Sequence, residues 1–199
     1  MEKDLFTALR ERRSIYGISK ESSISDQRIQ EIIEETVTHT PSAFNNQTTR
    51  VVLLLGEQHN KLWDITTEVL KALVTADQFS STQQKMNGFR NGYGTVLFFE
   101  DQSVIDSFME QYPSYQEHFP IWSQHTSGMH QLVIWTALEA EGLGANLQHY
   151  NPLIDERVKT EWKLPKNWKL IAQMPFGKPT VSVGEKKFNP IQDRIKVFK

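Results

Sequence analysis

Residues 94–100 read GTVLFFE. From Thr95 to Phe99 every side chain is β-branched, aliphatic or aromatic, so the run has no polar face. A strand with one face in water alternates apolar and polar residues; a short unbroken apolar run bounded by turn formers predicts a strand covered on both faces. The turn formers are present upstream in GFRNGYG, residues 88–94, which reads as a turn leading into the strand. Working outward, VVLLL at 51–55, closed by Gly56, predicts a second buried strand. A short strand is expected near 145–149, and another over 170–176, broken by Pro175.

Helical periodicity fills the intervals. Leu5, Phe6 and Leu9 share a face of a helix expected over residues 2–13. Ser25 reads as an N-cap with Asp26 at the positive helix end, and Ile29, Ile32, Ile33 and Val37 follow at helical spacing until Pro41 forbids continuation. Residues 58–76 carry Leu62, Ile65, Val69 and Leu73 on one side. A short helix is expected over 103–111 and a loop over 112–120. The longest helix spans about 122–141, with Met129, Val133, Ile134, Ala137 and Leu138 as its apolar stripe and Gly142 as its stop. Residues 154–162 form a further short helix. The tail, 188–199, is polar with scattered apolar residues and is expected to pack on something, a second subunit being the candidate. Two helices followed by strands alternating with helices predict an α+β fold: a mixed central sheet in a single domain, 1–199, without an internal linker.

Composition removes several classes of function. The formal net charge of -2, with no basic block, argues against a nucleic-acid or anionic-membrane partner. The chain has no cysteine, which excludes disulfides, thiolate-held clusters and a cysteine nucleophile. The N-terminus lacks the apolar core of a signal peptide and no run is long enough to span a bilayer, so a cytoplasmic protein is expected. There is no phosphate-binding GxxxxGK[ST] loop, no GxGxxG after a strand and no GxSxG elbow. His118, His125 and His130 do not align on one helical face, and no metal site is expected from them.

Four segments carry candidate chemistry. Arg12, Arg13 and Ser14 end the first helix, where two guanidiniums and a hydroxyl suit a phosphate; basic residues also simply suit a helix C-terminus. TPSAFNNQ, residues 40–47, joins a helix to a strand and holds three side-chain amides that both donate and accept, apt for a heteroaromatic ring edge or for a plain turn. NLQHY, residues 146–150, sets polar groups at a strand end. Lys186, Lys187 and Arg194 make a basic tail.

In this order the segments resemble the nitroreductase family: Arg-Arg-Ser after the first helix, Pro-Ser-x-x-Asn-x-Gln before the first strand, Leu-Gly before a late strand, and Arg near the C-terminus, over Phe6 to Arg194. HTPSAFNNQT, YGTVLFFED and GLGANLQHYNP are similar to the shorter subgroup of fungal fatty-acid-repression-linked and bacterial stress-induced nitroreductases. The resemblance implies a three-layer α+β sandwich with helices on both faces of the sheet, a homodimer, and FMN in clefts at the dimer interface. It implies that Arg12 holds the phosphate and that Arg13 and Ser14 touch phosphate, ribityl or ring edge. Pro41, Ser42, Ala43 and Asn45 would approach the flavin from the other subunit, with Gln47 supporting the loop or touching FMN. Gln148, His149 and Tyr150 would line the ring, and Arg194 would add a phosphate cation. The family's lysine before the middle strand falls on Lys85, Phe89 or Arg90, and Ala43 and Thr48 depart from the commoner Ser and Pro. Phe44, Tyr93 and Tyr150 are candidate pocket walls. The implied activity is ping-pong transfer of hydride from NAD(P)H through flavin N5 to a nitroaromatic or quinone-like acceptor. The alternatives are an FMN-binding regulatory or storage protein with little turnover and an interaction module without cofactor.

Overall fold

A computed structural model of the chain describes residues 3–199, leaving aside the side chains of Ala76 and Gln78. Glu2, included in the expected first helix, lies outside the described residues. The elements are α1 (Leu5–Glu11), β1 (Ile18–Ser19), α2 (Asp26–His39), β2 (Thr49–Leu55), α3 (Gly56–Lys71), α4 (Ala76–Arg90), β3 (Gly94–Asp101), α5 (Gln102–Gln111), α6 (Phe119–Ala140), β4 (Gly144–Ala145), α7 (Asp155–Glu161) and β5 (Trp168–Pro179). The sheet runs β1-β5-β3-β2, with β4 also on β5. These strand pairings are antiparallel; among the described residues the parallel share of the expected mixed sheet is one isolated bridge, Ser14 to Ala145.

β3 is the centre, buried at every position. Its alternation builds the three layers. Val96 and Phe98 pack with Ile29, Ile33, Ile134 and Leu138 of α2 and α6. Leu97 and Phe99 pack with Leu62, Trp63, Met86, Phe89 and Val158 of α3, α4 and α7. The β5 partner keeps pace through a bulge: Phe98 pairs with Ala172 but Phe99 with Leu170, so Ile171 is the extra residue. The bulge flips parity, which sends Leu170 to the second layer while Ala172, Met174 and Phe176 face the first.

Several expectations need correction. Pro175 does not break the last strand, because β5 continues to Pro179. The Pro175 carbonyl accepts from Asn146 N–H, so its donorless nitrogen faces the short, irregular 144–148 segment and β3 loses nothing. The third helix stops at Lys71 rather than 76, and α4 was not foreseen; its sequence is polar apart from a few positions such as Met86 and Phe89, which are buried. Gly88 belongs to the last turns of α4, so the turn into β3 starts at Asn91. β2 is the outer strand, and Arg50 to Leu53 are only half-buried. The helix after the 112–120 loop starts at Phe119. Ser25 does cap α2 through Arg28 N–H, and Gly142 closes α6 at φ 83°.

Apolar surface remains uncovered on the single chain. Leu5 and Phe6 of α1, Met129, Leu132 and Val133 of α6, and Phe188, Ile191, Ile195, Val197 and Phe198 of the tail are exposed.

Candidate functional site

Asp4 caps α1 by accepting from Phe6 and Thr7 N–H, and the helix ends at Glu11 with Arg12 as its C-cap. The chain then runs beside the 145–150 segment. Ser14 bridges Ala145, Ile15 N–H donates to the Ala145 carbonyl (2.9 Å), and Asn146 Nδ2 donates to the Ile15 carbonyl (2.8 Å). Gln148 Nε2 donates to Asn146 Oδ1 (2.8 Å), and Tyr150 N–H donates to Gln173 Oε1 (2.7 Å). Two candidate segments more than a hundred residues apart in sequence are thereby tied side by side.

The two guanidiniums here, Arg12 and Arg13, form no ion pair among the described residues, whereas Arg28, Arg50, Arg90 and Arg157 each do. Arg13 Nη1 donates to the Gly184 carbonyl (2.7 Å), and the Arg12 guanidinium lies 4.3 Å from the Trp135 ring centroid. Burial first, then the neighbouring Arg13, lowers the Arg12 pKa below the usual arginine value, with Glu139 countering. Half-buried paired cations of this kind favour an anion.

An aromatic wall adjoins the tied segments. The Tyr150 ring lies 6.0 Å from Trp63 and 6.4 Å from Phe89, and Tyr16 reaches Phe89 at 6.4 Å. Burial, aided by Tyr16, pushes the Tyr150 hydroxyl up to about 12, so it stays protonated as a donor. Lys85 Nζ lies 5.8 Å from the Tyr150 ring. Arg90 is held by both oxygens of Asp64 (2.8 and 3.1 Å) and Phe89 is buried. Lys85 is therefore the candidate with an uncommitted charge: it has no ion pair among the described residues. His149 is exposed.

The 41–47 loop sits elsewhere. Phe44, Asn45 and Gln47 have φ of 55°, 53° and 49°, a left-handed cluster costly for side chains as bulky as phenylalanine. Ser42 Oγ accepts from Gln47 N–H (2.9 Å), which ties the loop together. The Phe44 ring packs on Tyr112 (4.9 Å), Phe119 (5.5 Å), Tyr115 (5.7 Å) and Trp122 (6.1 Å). Those contacts lie at the start of α6, whereas Arg12 stacks on Trp135, thirteen residues on, or about 20 Å at helical rise. Within one chain Pro41, Ser42, Ala43, Asn45 and Gln47 are thus not assembled with Arg12. Arg194 lies in the exposed tail after the Ile191–Asp193 turn, without a hydrogen bond or ion pair to the Arg12 segment among the described residues.

Tyr93 is a correction. Its hydroxyl donates to Asp26 and it packs on the α2–α6 side of the sheet, opposite Tyr150, so within one chain the two do not line the same wall. Trp135 and Tyr16 went unforeseen. Trp135 hides within the apolar stripe of α6, though its place one turn before Glu139 on the helix flanking the Arg-Arg segment is visible only in three dimensions. The histidines have packing or surface positions: His130 is buried with Nδ1 2.9 Å from the Thr126 carbonyl, His118 meets Trp122 edge-on at 5.3 Å, and His125 is exposed.

Known proteins share this fold. The family model described as Nitroreductase family matches residues 9–178. Nitroreductase CinD from Lactococcus lactis, solved in complex with chloramphenicol, is 43% identical, with 98% of this chain and 100% of that chain covered and a TM-score of 0.90. The putative nitroreductase HBN1 of Saccharomyces cerevisiae is 35% identical over 94% of this chain and 93% of its own length. Nitroreductase FRM2 of the same yeast is 33% identical over 96% and 95%. The fold, the order of the Arg-Arg-Ser, amide-loop and Gln-His-Tyr segments, and these likenesses agree: the chain belongs to the nitroreductase family.

Proposed function

We propose that this oxidoreductase binds FMN and moves hydride from NAD(P)H to nitroaromatic or quinone-like acceptors in two separate half-reactions. The observation that carries the reading is the pair of half-buried guanidiniums, Arg12 and Arg13, without an ion pair among the described residues and flanked by the Ser14 hydroxyl. Such a pair fits a phosphate dianion through bidentate donors. Bound FMN would supply hydride exchange at N5. Arg12 would hold the phosphate, Arg13 and Ser14 phosphate or ribityl, and Gln148, His149 and Tyr150 the ring, with Lys85 beside them. That the L. lactis relative was solved with 4-nitrophenol supports the acceptor class. The cytoplasm is the proposed compartment; no helix among the described residues is long and apolar enough to cross a membrane.

The site is proposed to be completed in a homodimer. The exposed Met129, Leu132 and Val133 border a groove of about 560 Å³ with Ile32, Thr40 and Pro41. An antiparallel pairing of two α6 helices reverses their direction. It would bring the 41–47 loop of one copy to the Arg12 end of the other, with Pro41, Ser42, Ala43 and Asn45 on the flavin, Gln47 bracing the loop, and the apolar tail with Arg194 reaching across.

The purified protein is expected to be yellow, to bleach anaerobically on adding NADH or NADPH, and to recover its colour with 4-nitrophenol. A yellow protein that neither nicotinamide bleaches favours the storage or regulatory reading; a colourless one that takes up no FMN overturns the proposal. Arg12→Ala is expected to weaken FMN binding roughly 10- to 100-fold, the loss of a charged hydrogen-bond partner, as followed by quenching of flavin fluorescence.

A further inference from the structure

We infer that Trp135 is a positioning residue for the phosphate clasp, holding the Arg12 guanidinium by its face so that its edge is free for an anion. The inference rests on the FMN reading above. A guanidinium carries its N–H donors in the plane of the group, and none points along the face. Arg12 Cζ lies over the Trp135 ring at 4.3 Å from its centroid, close enough for the face of the group to rest on the ring, the one direction that costs no hydrogen bond. The ring also restrains a long, rotamer-rich side chain that no ion pair among the described residues fixes.

The rest of α6 shows how Arg12 is kept from being neutralised. Glu139, one turn after Trp135, is the nearby acid whose charge acts on Arg12. Its Oε1 instead accepts from Lys3 Nζ at 2.5 Å, and Lys3 is also bound by Glu11 at 2.8 Å. Lys3 thus takes up the carboxylate, Glu139 Oε2 stays buried without a hydrogen bond, and Arg12 is left stacked on Trp135 with its cationic edge uncommitted. A carboxylate paired to Arg12 would compete with phosphate, whereas an aromatic ring supports the cation without competing.

The test separates this role from simple packing. Flavin-stripped full-length protein is titrated with FMN and with riboflavin, which lacks the phosphate, for wild type, Trp135→Leu and Trp135→Phe. Trp135→Leu is expected to weaken FMN about three- to tenfold while leaving riboflavin unchanged, and Trp135→Phe, which keeps a ring, is expected to recover most of the loss. Equal losses for both flavins, an unchanged FMN affinity, or a phenylalanine variant no better than leucine would overturn the role. A wild type that binds FMN no better than riboflavin would instead strike the phosphate reading of Arg12, and the inference with it. Thermal melts of both variants show whether either has lost its fold, and Trp135→Phe keeps the test open if the leucine variant has.

Discussion

Gly177→Ala is expected to destabilise the protein by on the order of 3 kcal/mol and to dislodge the segment that carries Arg12, Arg13 and Ser14. A methyl at 177 would stand 2.2 Å from the Ser19 carbonyl oxygen and 3.0 Å from Tyr93 N. Both are backbone atoms, so no side chain can rotate away. Relief requires β1 to lift from β5, breaking the Ile18–Pro179 and Ser19–Lys178 pairings. Only Ile15, Tyr16 and Gly17 separate β1 from the Arg-Arg-Ser segment, so the displacement is expected to reach the candidate phosphate site. Overpacking alone costs about 1–3 kcal/mol, and each lost hydrogen bond about 1 kcal/mol more. Gly184→Ala is the matched control: a Cβ there meets nothing within 4 Å, and its effect should lie within about 0.5 kcal/mol. Urea unfolding of the three proteins, with FMN titration of the same samples, checks both halves. A Gly177→Ala protein as stable as the control would show that the close approach of β1 to β5 is not required.

The legible part of this fold is the part where local pattern and burial coincide. GTVLFFE could only be covered on both faces, and β3 is. Ser25 and Gly142 act through their own backbone neighbours, which sequence displays directly. What failed depended on position in the sheet or on the opposite layer. VVLLL has the same composition as a central strand, but its place at the edge leaves it half-buried. α4 owes its place to packing against α3, with a core contribution from Met86 and Phe89 too sparse to announce a helix. Pro175 looked like a breaker because the side to which its nitrogen points was unknown.

The same division runs through the site. Arg12, Arg13, Ser14, Gln148 and Tyr150 stood out as residue types in order, and the structure ties their two segments together by the Ile15–Ala145 and Asn146–Ile15 hydrogen bonds. The 41–47 loop was recognisable from its amides, but its distance from Arg12 follows from the length of α6. Tyr93 and Tyr150 looked equivalent as aromatics, yet Tyr93 packs against the α2–α6 core and Tyr150 against the α3–α4 core.

Glu100 supplies the other large effect, in stability against pH. It follows Phe98 in the β3 alternation and so turns toward the α2–α6 layer, where it is 1% exposed. The Thr49 hydroxyl donates to Oε1 (2.7 Å), while Oε2 has no hydrogen bond. The Thr48 hydroxyl, close to the carboxyl though without a hydrogen bond of its own, and then Thr49 oppose the upward shift without cancelling it. Arg50, the cation whose charge acts on Glu100, is spent on Asp101 (3.0 Å) and on the Gln47 carbonyl (2.7 Å). Burial therefore pushes the Glu100 carboxyl up from 4.5 to about 7. Between those values the folded chain holds a proton that the unfolded chain has released, so stability falls as pH rises from 4.5 and levels off above 7. The full difference corresponds to roughly 3 kcal/mol. Glu100→Gln keeps the shape and cannot ionise. The variant should match wild type near pH 4 and exceed it by up to roughly 3 kcal/mol at pH 8. His59, held near 4 by burial, titrates alike in both proteins and drops out of the difference. Urea unfolding of the pair at pH 4, 6 and 8 measures it directly. A difference that does not grow with pH would mean that Glu100 finds a counter-charge in the folded protein and is ionised throughout.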